Sequence, residues 1–112
     1  MKYVLTENKL SSTVSNFMNS LFTKFTPFKS KVFPNGLFYI DENGNIMAEL
    51  INNKHGKGII FDYSLWIKIF NFFSFKTIEE QQKYLTIWGS DYFGIEDLLI
   101  DFRDFVETID DL

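Results

Sequence analysis

The chain has 112 residues, no cysteine, one histidine and a formal net charge of −4. That length predicts one domain, residues 1–112, able to bury roughly two-thirds of its unfolded surface without covalent staples, and the lack of cysteine excludes disulfides, thiolate metal sites and thiol catalysis. Residues 1–58 carry seven Lys against four acids, whereas residues 59–112 carry three Lys and one Arg against eleven acids; this predicts a bipolar molecule and argues against general nucleic-acid binding, which needs a basic footprint to release counterions.

The opening MKYVLTENKL has no apolar signal-peptide core, so the expected location is cytoplasmic. Over residues 6–25 the apolar side chains Leu10, Val14, Phe17, Met18, Leu21, Phe22 and Phe25 recur at the spacing of one helical stripe. The other face is Ser, Thr and Asn without the cationic rim of a membrane-surface helix, so the stripe is read as core. Pro27 is expected to stop this helix, and KSKVFPNG to form a loop turning at Pro34, Asn35 and Gly36.

Two β-prone runs, residues 37–41 and 46–51, flank Asn43-Gly44 and predict a hairpin, because that dipeptide tolerates positive φ. Asp41, Asn43 and Asn45 alternate as in an EF-hand loop, but Gly44 falls one place early and Asn52 stands where a bidentate Glu is required, so calcium is rejected. NNKHGKG turns the chain again, and residues 58–63 are read as a third strand closing an antiparallel meander.

The stretch IIFDYSLWIKIFNFFSF, residues 59–75, holds eleven Ile, Leu, Phe and Trp residues in seventeen positions. Asp62, Lys68 and Asn71 interrupt it, and a membrane span needs about 20 apolar residues, so it is divided into a strand end and a helix over residues 64–73 with Ser64 as N-cap. Leu65, Trp66, Ile69, Phe70 and Phe73 form its stripe, leaving Ile67 and Phe72 outside it. A helix so apolar all round is either central to the core or carries a second face for another protein.

Thr77 with Glu80 forms a capping box that predicts a helix over residues 77–92, with Ile78, Gln82, Leu85 and Trp88 on a stripe of mixed polarity, ended before Gly94. IEDLLIDFRDFVETI is read as a final helix with Ile95, Leu98, Leu99, Phe102, Val106 and Ile109 on one side and Glu96, Asp97, Asp101, Asp104 and Asp111 on the other. From Asp91 onward there are eight acids and one Arg.

Catalytic chemistry finds few parts. His55 lies in a Gly-flanked Lys loop with no nucleophile motif nearby, one His without Cys cannot build a conventional transition-metal site, and HGKGI lacks the spacing of a nucleotide-binding loop. The acids cluster without the pocket signals that would set a catalytic pKa. No catalytic residue, cofactor or metal is therefore assigned. Lys54, His55 and Lys57 could present an anion-binding loop, although a plain hairpin connection explains the same residues.

Leu5, Thr6 and Glu7, followed by an amphipathic helix, resemble the openings of small uncharacterised proteins of large tailed bacteriophages. The small size agrees with that source, as does a composition rich in Phe, Ile, Lys and Asn, all encoded by AT-rich codons. The resemblance covers about ten residues, departs from its pattern in having only Lys9 and Lys24 within the helix, and implies a viral origin without an activity.

The expected fold is α+β, a three-stranded antiparallel meander packed against an N-terminal helix and about three C-terminal helices. The expected function is non-enzymatic binding of another protein, a second copy or a host factor, through an aromatic surface at Trp66, Ile67, Phe72 and Phe73. Such a protein could be an assembly or accessory subunit, and could form a homo-oligomer. Direct nucleic-acid and membrane contacts are not expected. The alternative is an inhibitor whose final helix aligns Asp97, Asp101 and Asp104 in imitation of a phosphate backbone and occupies the groove of a nucleic-acid-binding enzyme.

Overall fold

The computed structural model describes residues 7–112; Leu5 and Thr6, on which the phage resemblance and the helix start rested, lie outside them. The elements are α1 (Glu7–Phe22), β1 (Thr26–Lys29), β2 (Gly36–Ile40), β3 (Ile46–Asn53), β4 (Gly56–Asp62), α2 (Tyr63–Phe72), α3 (Ile78–Phe93), β5 (Leu99–Arg103) and a single 3-10 turn (Ile109–Asp111). The class is α+β. The three-stranded meander is the centre of a larger sheet of five strands in the order β1-β2-β3-β4-β5, antiparallel except for the parallel β4–β5 pair.

The predicted β-hairpin forms, with a loop longer than two residues. Asp41 N–H donates to the Asn45 carbonyl at 3.0 Å, and Gly44 N–H donates to the Asp41 carbonyl at 3.1 Å. Gly44 takes φ 83°, so Glu42, Asn43 and Gly44 make the three-residue connection in which a left-handed glycine follows a tight turn. Asp41 closes it: Oδ1 accepts from the backbone N–H of Asn43 and Asn45 at 2.9 and 2.8 Å.

Two segments differ from the sequence reading. Pro27 lies in β1, a strand of four residues at the sheet edge, where a residue without an N–H is tolerated; α1 has already ended at Phe22. The expected final helix is replaced by β5 and an extended segment. The physical reason is lateral: β4 offers the apolar pair Ile59 and Phe61, and β5 sets Ile100 opposite Ile59 and Phe102 opposite Phe61. An alternation of period two, with Ile100 and Phe102 inward and Leu99, Asp101 and Arg103 outward, sets both apolar side chains against that pair.

All three helices pack on one face of the sheet. Val14, Met18 and Phe22 of α1, Leu65, Trp66 and Ile69 of α2, and Tyr84, Leu85 and Trp88 of α3 meet Tyr39, Ala48, Ile59 and Phe61 in the main core. The predicted stripe of α1 is thus the buried face. Trp88 Nε1 donates to Asn19 Oδ1 at 2.8 Å and ties α3 to α1. Gln81, fully buried, donates through Nε2 to the Trp66 carbonyl at 2.9 Å and ties α3 to α2.

The helix ends follow from local chemistry. Asp62, not Ser64, caps α2, its carboxylate accepting from the Ser64 N–H and hydroxyl. Thr77 caps α3 by accepting from Glu80 N–H at 3.1 Å, while Glu80 reaches back to Lys76 N–H at 3.2 Å. Gly94, at φ 66°, ends α3. On the opposite face of the sheet a smaller core joins Phe38, Ile40 and Ile46 to Leu112, with Phe28 and Phe105 beside it. The segment after β5 provides that cover. Among the described residues no helix is long and apolar enough to cross a membrane.

Candidate interaction surface

The sequence-derived aromatic site divides in two. Trp66 is 1% exposed and stacks on Phe102 at 4.8 Å in the main core, so it offers no contact surface. Ile67 is 37% exposed, but five residues separate it from Phe72 and set the two about 140° apart around α2. They do not form one patch. Phe72, at 65% exposed, and the half-buried Phe73 do lie together at the C-terminal end of the helix.

A residue from α1 completes this group. Phe17 stacks on Phe72 with ring centroids 4.7 Å apart and 21° between planes. It meets Phe73 edge-on at 5.3 Å, and Phe72 meets Phe73 edge-on at 4.9 Å. Phe73 in turn touches Phe75, which stacks on the buried Tyr84 at 5.8 Å. Three mutually touching rings therefore form a ledge whose outer member is Phe72 and whose root is in the core. The sequence assigned Phe17 to the α1 stripe; only the packing of α1 against the end of α2 shows that it also supports an exposed ring.

The turn holding the ledge is strained. Phe73 is the C-cap of α2, and Ser74 follows at φ 54°. Ser74 N–H donates to the Asn71 carbonyl at 3.2 Å and Phe75 N–H to the Phe70 carbonyl at 3.1 Å, the pair of bonds that closes a Schellman motif, with Phe70 against Phe75 as its apolar contact. A left-handed position favours glycine, and an L-residue there costs about 1 kcal/mol. The neighbouring aromatic contacts hold Ser74 in place.

The acidic alternative loses the helix on which it rested. Asp97 lies in the turn before β5 at φ 57°, Asp101 is on the strand and Asp104 follows it. Four residues advance about 6 Å along a helix but about 13 Å along a strand, so Asp97, Asp101 and Asp104 do not make a closely spaced stripe. Asp101 instead caps its own strand, Oδ1 accepting from Phe102 N–H at 2.8 Å, while Gln82 Nε2 donates to the Ile100 carbonyl at 3.2 Å. Both groups lie on the outer edge of β5, so these bonds occupy positions that an added strand would need.

Lys54, His55 and Lys57 are exposed at the β3–β4 turn. The turn's amides are already engaged: Asn53 Oδ1 accepts from His55 N–H at 2.8 Å and Gly56 N–H at 3.1 Å. Those two donors are not presented to an anion, which leaves the lysine charges alone. At the other end of the sheet a polar cavity of about 300 Å³ is lined by Asp41, Asp62, Lys68 and Glu107. Its carboxylates serve the fold: Asp41 closes the hairpin, Asp62 caps α2 and accepts from Phe105 N–H at 3.3 Å, and Glu107 pairs with Arg103 at 3.4 Å. Among the described residues no group of His, Cys, Asp and Glu side chains is arranged to hold a metal ion.

No family model, curated protein or solved structure matches this chain.

Proposed function

We propose that this chain is a non-enzymatic protein-binding module whose contact surface is the ledge of Phe17, Phe72 and Phe73. The observation that carries this reading is that Phe72 is 65% exposed yet held by stacking on Phe17. A large apolar ring kept in place before binding loses little side-chain freedom on contact, and aromatic anchors of this kind carry a large share of interface energy. The occupied outer edge of β5 supports recognition through side chains rather than strand addition.

The test is Phe72→Asp. Immobilised wild-type chain is expected to retain a partner protein from an extract of cells that make it, or to show a dimer mass by light scattering. The variant should lose that association with unchanged far-ultraviolet circular dichroism. Ile67→Asp, on a different side of α2, should bind as wild type does. A Phe72→Asp protein that binds normally would overturn the reading.

A further inference from the structure

The cover on the back of the sheet is independent of the ledge. After β5, segment 104–112 crosses the sheet from β4 toward β1. Phe105 N–H donates to Asp62 Oδ1, at the end of β4, at 3.3 Å, and Ile109 lies beside Gly44 of the β2–β3 hairpin. The Leu112 carbonyl accepts from Ser30 Oγ at 3.0 Å and from Lys31 N–H at 3.1 Å, just beyond β1. Two side chains of this strap do the covering. Leu112 and Phe105 pack with Phe38, Ile40 and Ile46, which are 2 to 4% exposed and form a cluster separate from the main core. Among the described residues the main core includes none from the strap, so the helices keep it covered whether or not the strap is seated.

The strap is lightly held. Among the described residues, Lys31 N–H to the Leu112 carbonyl is its one backbone-to-backbone hydrogen bond to the rest of the fold. Val106 is 85% exposed, and a polar cavity of about 300 Å³ separates Phe105 and Glu107 of the strap from Asp41 and Lys68. Burial raises the Glu49 pKa, Arg103 opposes that shift and Glu107 reinforces it, so the strap sets a like charge near Glu49. A segment with few buried apolar contacts and little backbone pairing opens at a free energy below that of global unfolding. Opening bares the groove of Phe28, Phe38, Ile40 and Ile46, and the segment that fits this groove is the strap, carried by every copy of the chain. We propose that two copies exchange straps, segment 104–112 of each seating Phe105 and Leu112 in the back-face groove of the other. Every contact of the closed chain is remade across the pair, and only the course of the chain after Arg103 differs, which is domain swapping with twofold symmetry. The closed monomer wins when dilute, because its own strap is tethered at an effective concentration of millimolar order. The exchanged pair grows as the protein approaches that range.

The lack of native cysteine allows a direct test with full-length single-cysteine variants. Ile109 Cγ2 lies 3.7 Å from the Cβ position of residue 44, so Ile109→Cys on one chain and Gly44→Cys on another bring two thiols together where a strap has crossed between chains. The two proteins are mixed at equal, millimolar concentration, equilibrated and oxidised with diamide. Mass spectrometry of the dimers should show the mixed disulfide in about tenfold excess over either homodimer. Adding Phe105→Asp to the Ile109→Cys chain unseats the strap and should return the three disulfides to their random ratio. Gly44 is left-handed, so Asn43→Cys serves as a second probe that leaves that backbone position alone. Wild type at the same concentration should rise above its 13.2 kDa monomer mass in light scattering and stay there in 1 M salt, because the seat is apolar. Phe72→Asp should exchange straps as wild type does, which separates this contact from the ledge. A random disulfide ratio with both probes, an excess that survives Phe105→Asp, or a wild type that stays monomeric at millimolar concentration would each overturn the proposal.

Discussion

The two faces of the sheet are covered by unlike means. On the front, three helices bury Ile59, Phe61, Trp66, Leu85 and Trp88 to 1% exposure or less. On the back, the segment after β5 lays Leu112 and Phe105 over Phe38, Ile40 and Ile46, and Leu99 stays exposed. The difference shows where burial is complete and where apolar side chains are left exposed. Helix packing fixes the front, and its overflow appears as the Phe72 ledge; the back is fastened by few side chains.

The sharpest contrast is between Trp66 and Phe72, six residues before the end and at the end of one helix. Trp66→Ala removes a side chain 1% exposed and should cost about 3 to 5 kcal/mol in denaturant unfolding, enough to unfold a marginal domain. Next, Leu112→Ala loosens the back cover and should cost roughly 2 kcal/mol, since Leu112 is 9% exposed and its carbonyl accepts from Ser30 Oγ and Lys31 N–H. If Leu112→Ala costs as much as Trp66→Ala, the two faces are equally fixed and the contrast fails. Ser74→Gly should act in the other direction, stabilising by about 1 kcal/mol through relief of the left-handed turn after α2. Thermal unfolding of the variant with no gain would mean that the turn stores no strain.

The smallest effect concerns pH on the back face. Burial raises the Glu49 pKa, with Arg103 opposing and Glu107 reinforcing the shift. The folded state then holds this proton more tightly than the unfolded chain, so the Glu49 contribution to stability falls as pH rises from the ordinary glutamate range through the raised value. Glu49→Gln should remove that slope and be more stable than wild type at neutral pH by under about 1 kcal/mol, a figure reduced by solvent screening. The difference should vanish in acid. Denaturation curves across this range that run parallel for the two proteins would contradict the burial of Glu49.

Much of the front was legible in the sequence because its signals are local. The α1 stripe, the Thr77–Glu80 cap, the Gly94 stop and the turn glycine Gly44 each act within a few residues of the structure they determine. β5 was not legible, since the apolar spacing from Ile95 to Ile109 suits a helix as well as a strand. The strand wins through its pairing with β4, some forty positions earlier in the chain. The alternation Ile100-Asp101-Phe102-Arg103 was the one local hint. β1 was hidden by Pro27, which rules out a central strand but permits an edge. For the candidate site, Phe72 and Phe73 were visible as apolar surplus, whereas Trp66 entered the core and Phe17 joined the ledge through contacts between α1 and α2 that no local pattern encodes.

The most direct test of the protein-binding account is a comparison of partner retention by immobilised wild-type and Phe72→Asp chains under identical conditions, with unfolding curves for both. The account predicts that the variant is as folded as the wild type and loses the retained protein. Equal retention by the two, at equal stability, would contradict it.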